Sequence, residues 1–301
     1  MADRQVTQQS IFGLLSKLDD PDADLRFMSL NDLFGILSNQ SSSYLTSDLR
    51  SSQNLADGLL KALDDQHDML TAVWNSLGPL AIRVPFETLM PLLEKLANLT
   101  SSQTIDTSVP NTALRVIVDT LPRPQAGQPA PQSVVSAYNA VSKVLIPRLT
   151  GPTPSSSGRR GSMVKGMLEK DAAKGFSSDA IDVLIKVVTC FGPMLQEQEL
   201  DALQEPVMAI IHNDTAGTVV TKRALAAISA LVQHFSDHQL NAFVGRLSDT
   251  LASSNITTVH RRHLIAAIGV IARSAPAKLG PHLDRLAPYV FAAVGEDGVG
   301  N

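Results

Sequence analysis

The stretch DDPDADLRFMSLNDLFGIL, Asp19 to Leu37, decides how the whole chain is read. Its acidic opening contains Pro21 and marks a turn. Leu30, Leu33, Phe34 and Leu37 then fall at i, i+3, i+4 and i+7, the spacing of one buried stripe on an α-helix. Ahead of the turn, Ile11, Leu14, Leu15 and Leu18 follow the same period, so the unit is a helical hairpin with a short, Asp-rich joint. Neither helix can bury its stripe alone, and each therefore requires a neighbour built the same way.

Such neighbours recur. Leu63-Asp64-Asp65 repeats Leu18-Asp19-Asp20 at a spacing of 45, and the next helix carries Leu70, Val73, Trp74 and Leu77. Gly78-Pro79 inside it predicts a kink or local break. A third hairpin opens at Pro85 with Leu89, Leu92, Leu93 and Leu96, and closes with Leu114, Ile117, Val118 and Leu121 after a polar loop. Pro122, Pro124, Pro129 and Pro131 then predict an extended connection. The fourth pair, Ser133 to Leu149 and the helix bearing Ile181, Leu184, Ile185 and Val188, is split by GPTPSSSGRRGS, Gly151 to Ser162. That polar stretch predicts disorder, with a short helix possible over Met163 to Lys174. Gly192-Pro193 repeats the earlier dipeptide. In the fifth and sixth pairs, Lys222, Leu225 and Ala226-Ala227-Ile228 align with Arg262, Ile265 and Ala266-Ala267-Ile268 at a spacing of 40.

A two-helix repeat of about 40–47 residues is the HEAT or armadillo pattern, and the tight joints leave no room for armadillo's third helix. The expected fold is all-α, an α-solenoid of about six and a half HEAT-type hairpins in a curved superhelix. It is read as a single solenoid over 1–301, with a disordered insertion at about 151–177 and an unpaired terminal helix at about 276–294. That last helix carries Leu283, Leu286, Val290 and Phe291 with no second helix to cover them. The expectation is that a second polypeptide bearing further repeats docks on these four residues.

Composition agrees with helices packed closely and excludes several functions. Hydrophobic residues make up 44% but aromatics only 4%, so the core must be built from Leu, Ala, Ile and Val. A net charge of −4 gives no basic footprint for phosphate, and nucleic acid is not an expected partner. The one cysteine, Cys190, admits no internal disulfide and fits a reducing compartment. A polar N-terminus and the absence of a long apolar run argue against a signal peptide or membrane span, so the expected location is the cytoplasm, the nucleus or both.

No catalytic constellation emerges, and the protein is not read as an enzyme. Cys190 lies in the apolar run VLIKVVTCFG, where a buried, inert thiol is expected. His234 and His238 stand four apart and His260 and His263 three apart, a zinc-ligand spacing, but Ser236-Asp237 reads as a helix start between the first pair. No metal or cofactor is expected. GPTPSSSGRRGS lacks the Gly-Lys-Ser/Thr ending of a phosphate loop, whereas Arg159-Arg160-Gly161-Ser162 offers Ser162 to a basophilic kinase. The aspartates of the joints are read chiefly as helix caps.

Asp24-Leu25-Arg26-Phe27-Met28 and Asn31-Asp32-Leu33 resemble the opening of the cullin-associated, neddylation-dissociated proteins, HEAT-repeat regulators of cullin–RING ubiquitin ligases. Ser76-Leu77-Gly78-Pro79-Leu80 and Leu283-Asp284-Arg285-Leu286-Ala287-Pro288-Tyr289-Val290 are similar to later parts of the family's solenoid. The resemblance implies a non-enzymatic protein that binds the unneddylated cullin and its RING subunit and contributes to exchange of adaptor and substrate receptor. It places Arg26, Asn31 and Asp32 near or supporting the cullin–RING contact. The chain departs from the family by the Gly151 to Lys174 insertion and by its smaller number of repeats. The alternative reading is another HEAT-repeat scaffold, such as a nuclear transport carrier.

Overall fold

A computed structural model describes residues 8–39, 45–64, 67–102, 104–151, 166–170 and 175–297, with backbone alone at 8–10, 67–69 and 293–297. The described residues are helices and their connections, with no strand beyond one isolated antiparallel bridge, Glu169 to Phe176. The chain divides into two compact units, Met1–Leu145 and Ile146–Asn301.

In the first unit the helices are α1 (Gln8–Lys17), α2 (Ala23–Ser38), α3 (Leu49–Ala62), α4 (His67–Arg83), α5 (Phe86–Leu99), α6 (Ser108–Thr120) and α7 (Gln132–Ala140). A π-helical turn, Val141–Leu145, extends α7. The first helices pack in the order α1, α3, α5, α7, the second helices in the order α2, α4, α6, and each hairpin joins the two layers. The stripes explain this order, because Leu30, Leu33, Leu37, Leu55, Leu59, Val73, Leu77, Leu92, Leu93, Leu96, Leu114 and Ile117 are 0–1% exposed. Each such side chain stabilises the array by about 1.5–3 kcal/mol relative to exposure.

The second unit repeats the plan with α8 (Ile146–Thr150), α9 (Ser178–Phe191), α10 (Glu197–Ile211), α11 (Thr218–Val232), α12 (Asp237–Ala252), α13 (Thr258–Ser274), α14 (Pro276–Leu279) and α15 (Leu283–Asp297). Here α9, α11 and α13 form the layer of second helices, while α8 packs on α10 and α12 on α15. Joints are capped as the turn chemistry requires. Asp22 accepts from the Asp24 N–H at 2.9 Å, and Ser236 and Gln239 form a reciprocal capping box at the start of α12. The joints at 18–22, 212–217 and 253–257 contain no third helix, as a two-helix repeat demands.

Polar side chains connect neighbouring first helices at repeat spacing. Lys61 meets Asp19 at 2.9 Å and Lys95 meets Asp57 at 2.7 Å in the first unit. In the second, Gln239 donates to Asp201 at 2.8 Å and to the Glu197 carbonyl at 3.0 Å, and Arg285 donates to Asn241 at 3.2 Å. The exposed ion pairs contribute little energy; their regularity records the stacking.

Four expectations change. Phe34 is 41% exposed, because the buried arc of α2 is centred on Ser29, Leu30, Leu33 and Leu37 and Phe34 falls beyond its edge. Gly78-Pro79 does not break α4, which runs on to Arg83, whereas α9 stops before Gly192-Pro193, a 3-10 turn. The insertion is not disordered throughout 151–177. Leu168 is fully buried, Met167 N–H donates to the Arg148 carbonyl at 3.0 Å, and Ser177 N–H donates to the Leu168 carbonyl at 2.8 Å. Residues 166–170 thus form a turn and a bridge where a helix was expected. The helix expected at 276–294 is interrupted by a 3-10 turn, Gly280–His282, between α14 and α15.

Candidate functional site

Helix α2 has two unlike faces. Leu30, Leu33 and Leu37 seal one against the array, and the other leaves Phe27, Met28 and Phe34 at 43%, 60% and 41% exposure. At 100° per residue, Asn31, Gly35 and Met28 fall opposite the buried arc, and Phe27 and Phe34 lie side by side along the margin of that outer face, next to Leu30. Phe12 of α1 is also exposed. Asn31 and Asp32 are exposed, so a partner could reach both of them directly.

Arg26 is placed differently. Its Nη1 donates to the carbonyls of Asp20 at 2.8 Å and Pro21 at 3.1 Å, so the guanidinium holds the α1–α2 joint. It satisfies acceptors that a tight turn would otherwise leave to water. Arg26 therefore supports α2 from the joint, and Asn31 and Asp32 lie on the surface it orients.

The residues expected to receive a second polypeptide separate as well. Leu283 is 52% and Phe291 74% exposed, and Val290 is half-buried. Leu286 is 1% exposed, because α15 packs on α12 and α13 and uses this side chain there. Leu286 is thus closed to any partner, and of the four residues only Leu283, Val290 and Phe291 keep exposed surface. Ser162 and its basic neighbours lie outside the described residues.

The histidine spacings do not produce a metal site among the described residues. Ser236 caps α12 between His234 and His238, as the sequence suggests. His260 turns instead to His212, 48 positions earlier, with His212 Nδ1 and His260 Nε2 2.8 Å apart and the rings edge to face. His263 Nδ1 lies 3.1 Å from the Ile211 carbonyl, which leaves this ring nitrogen to donate. Burial lowers the pKa of His212, with His260 and Arg246 adding to it against Glu205. Burial also lowers that of His260, helped by His263 and opposed by Asp214. Local spacing misses this pair because it joins two repeats, and repeat alignment misses it too because 48 positions is not the repeat spacing of 40.

Cys190 is buried at 2% exposure and offers no accessible thiol. Among the described residues no helix is long and apolar enough to cross a membrane. Two faces stand exposed: an apolar and amide-bearing one on α2, and a smaller apolar one on α15.

Comparison with known proteins places these faces in a family context. The family described as "Cullin-associated NEDD8-dissociated protein 1 N-terminal part" matches residues 88–301. The chain is similar to the "Cullin-associated NEDD8-dissociated protein 1, N-terminal part" of Emericella nidulans, with 65% identity over 99% of this chain and 87% of that protein. It is 27% identical to the "Cullin-associated NEDD8-dissociated protein 2" of Mus musculus over 93% of this chain, and spans only 21% of that relative's length. Among solved structures, that of Kap121p bound to Pho4p matches 93% of this chain and 27% of its own, at 17% identity and a TM-score of 0.57. This last likeness concerns the helical-repeat fold alone.

Proposed function

Because the chain belongs to the cullin-associated NEDD8-dissociated protein family, we propose that it is a non-enzymatic regulator of cullin–RING ubiquitin ligases. It binds the unneddylated cullin and its RING subunit through the outer face of α2. The observation that carries this reading is the exposure of Phe27, Met28 and Phe34 beside Asn31 on a helix whose other face is closed. Apolar anchors flanked by polar groups are the composition of a protein-binding hot spot. Arg26 is a positioning residue for this face, so its charge reversal would disturb the joint and the contact together.

The second element of the proposal is a companion polypeptide carrying further repeats, seated on Leu283, Val290 and Phe291. The exposure of Leu283 and Phe291 favours it, and so does similarity to a relative named an N-terminal part. Together the two chains would contribute to adaptor and substrate-receptor exchange in the cytoplasm or nucleus.

Calorimetry with a purified, unneddylated cullin–RING pair tests the first element, comparing the wild type with Phe34→Ser and Asn31→Arg. Both changes lie on the exposed face of α2 and should leave helicity unchanged while weakening binding at least about tenfold. Wild-type affinity in both variants removes the α2 face from the contact, and failure of the wild type to bind any cullin removes the function.

A further inference from the structure

Helices α11 and α13 pack against each other and present the same surface at a spacing of 40. Val219, Lys222 and Ala226 on α11 correspond to Val259, Arg262 and Ala266 on α13. On each helix the three positions fall at i, i+3 and i+7, one side of the cylinder. Val219 is 62% and Val259 41% exposed, and Lys222 and Arg262 are exposed beside them. Ala226 and Ala266, one turn further along each helix, carry the smallest side chains of each row.

The adjacent charges are used quite differently. Arg223, next to Lys222, is paired with Asp182 of α9, and this contact raises its pKa above the ordinary value. That ion pair joins neighbouring second helices and leaves no net charge. Lys222 and Arg262 have no hydrogen-bond or ion-pair partner among the described residues. Two uncompensated cations therefore stand on neighbouring helices, whose axes in such packing lie about 8–10 Å apart, each with an exposed valine one turn away.

We propose that this ridge is a docking surface for an acidic segment of a partner protein, one that sets carboxylates against Lys222 and Arg262 and apolar side chains against Val219 and Val259. Charge complementarity selects the occupant. A polyphosphate chain fits less well, because the exposed Val219 and Val259 would meet no apolar group on it. The inference is independent of the α2 and α15 contacts, since none of its residues belongs to either.

Fluorescence anisotropy with a labelled synthetic peptide tests it, the peptide being an acidic 12-residue probe with two glutamate pairs separated by leucine. The wild-type chain should bind it. Lys222→Glu with Arg262→Glu should weaken binding at least about tenfold, since attraction becomes repulsion at both positions. Lys222→Arg should retain binding, and Val219→Ser with Val259→Ser should weaken it with the salt dependence unchanged. Lys222 and Val219 are exposed, so thermal melts of these variants should match the wild type. No binding by the wild type, binding indifferent to the double charge reversal, or preferential binding of single-stranded DNA of equal charge overturns the proposal.

Discussion

The same dipeptide occurs towards the end of two second helices and is used in two ways. In the first unit Gly78-Pro79 lies within α4, and a Cβ on Gly78 would come 2.6 Å from Thr120 Oγ1 at the end of α6. In the second unit Gly192-Pro193 follows α9, and a Cβ on Gly192 would fall inside the imidazole of His234, just past the end of α11. Each glycine admits a side chain 42 positions later, from the neighbouring second helix. The comparison teaches that Gly-Pro in this repeat encodes a close approach between neighbours. In the first unit a threonine lies over an unbroken helix, and in the second an imidazole lies over a 3-10 turn.

Gly192→Ala should have the largest effect. The displaced ring is half-buried and flanked by Lys278, whose Nζ donates to the carbonyls of Val232, Gln233 and Phe235 at 3.2, 2.8 and 3.2 Å. Overpacking of this kind costs about 2–3 kcal/mol, read as a lower midpoint in denaturant unfolding. Adding His234→Gly should restore most of it, and a double variant no better than the single would mean that the ring is not the obstacle.

Gly78→Ala should cost less, about 1 kcal/mol. Thr120 is exposed, and its hydroxyl is held only by the Val116 carbonyl of its own helix at 2.8 Å, so the side chain can turn away. The same unfolding measurement ranks the two junctions. A larger loss at Gly78 than at Gly192 would reverse the comparison.

Acid should separate the junctions further. Burial lowers the pKa of His234, with Lys278 adding to it, and those of His212 and His260 are lowered as well. An unfolded histidine titrates near about 6.5, so the unfolded chain binds protons first as pH falls. Stability is then whole above that value and is lost as pH drops from it through the folded pKa values. The threonine junction contains no such group. Melting of Thr120→Val should keep the wild-type pH profile from 7 to 5, whereas His234→Gln should flatten it; an unchanged slope in His234→Gln would detach this ring from the acid response.

The smallest effect should come from deleting Thr153 to Gly161, which removes none of the anchors at Arg148, Met167, Leu168 and Ser177. Melting within about 2 °C of the wild type is expected, and a drop of many degrees would assign packing to the removed stretch.

Most of the array was legible because its signal is periodic. Leu30, Leu33 and Leu37 announce α2, and Leu225 with Ile265 announces the 40-residue repeat. Phe34 was misjudged because a stripe of i, i+3, i+4 and i+7 is wider than the arc that one neighbouring layer covers. Leu168 was hidden because one leucine in a polar run has no period. Arg26 is read as near or supporting the contact, and its acceptors are backbone carbonyls, which sequence does not distinguish from one another. The exposed face of α2 follows by subtraction once the buried arc is known, and the cationic ridge follows only after Arg223 is seen to be spent on Asp182.

The anchoring of the insertion also bears on how such a protein can change over generations. Arg148 and Met167 are joined by a backbone hydrogen bond, so the described residues on either side of 152–165 meet at one point. Leu168 and Ser177 are anchored independently of how many residues lie between Gly151 and Gly166. Doubling the length of such an excursion costs only about 0.6 kcal/mol in loop closure. Residues can be gained or lost there, or new recognition sequences acquired, without shifting the register of any later repeat.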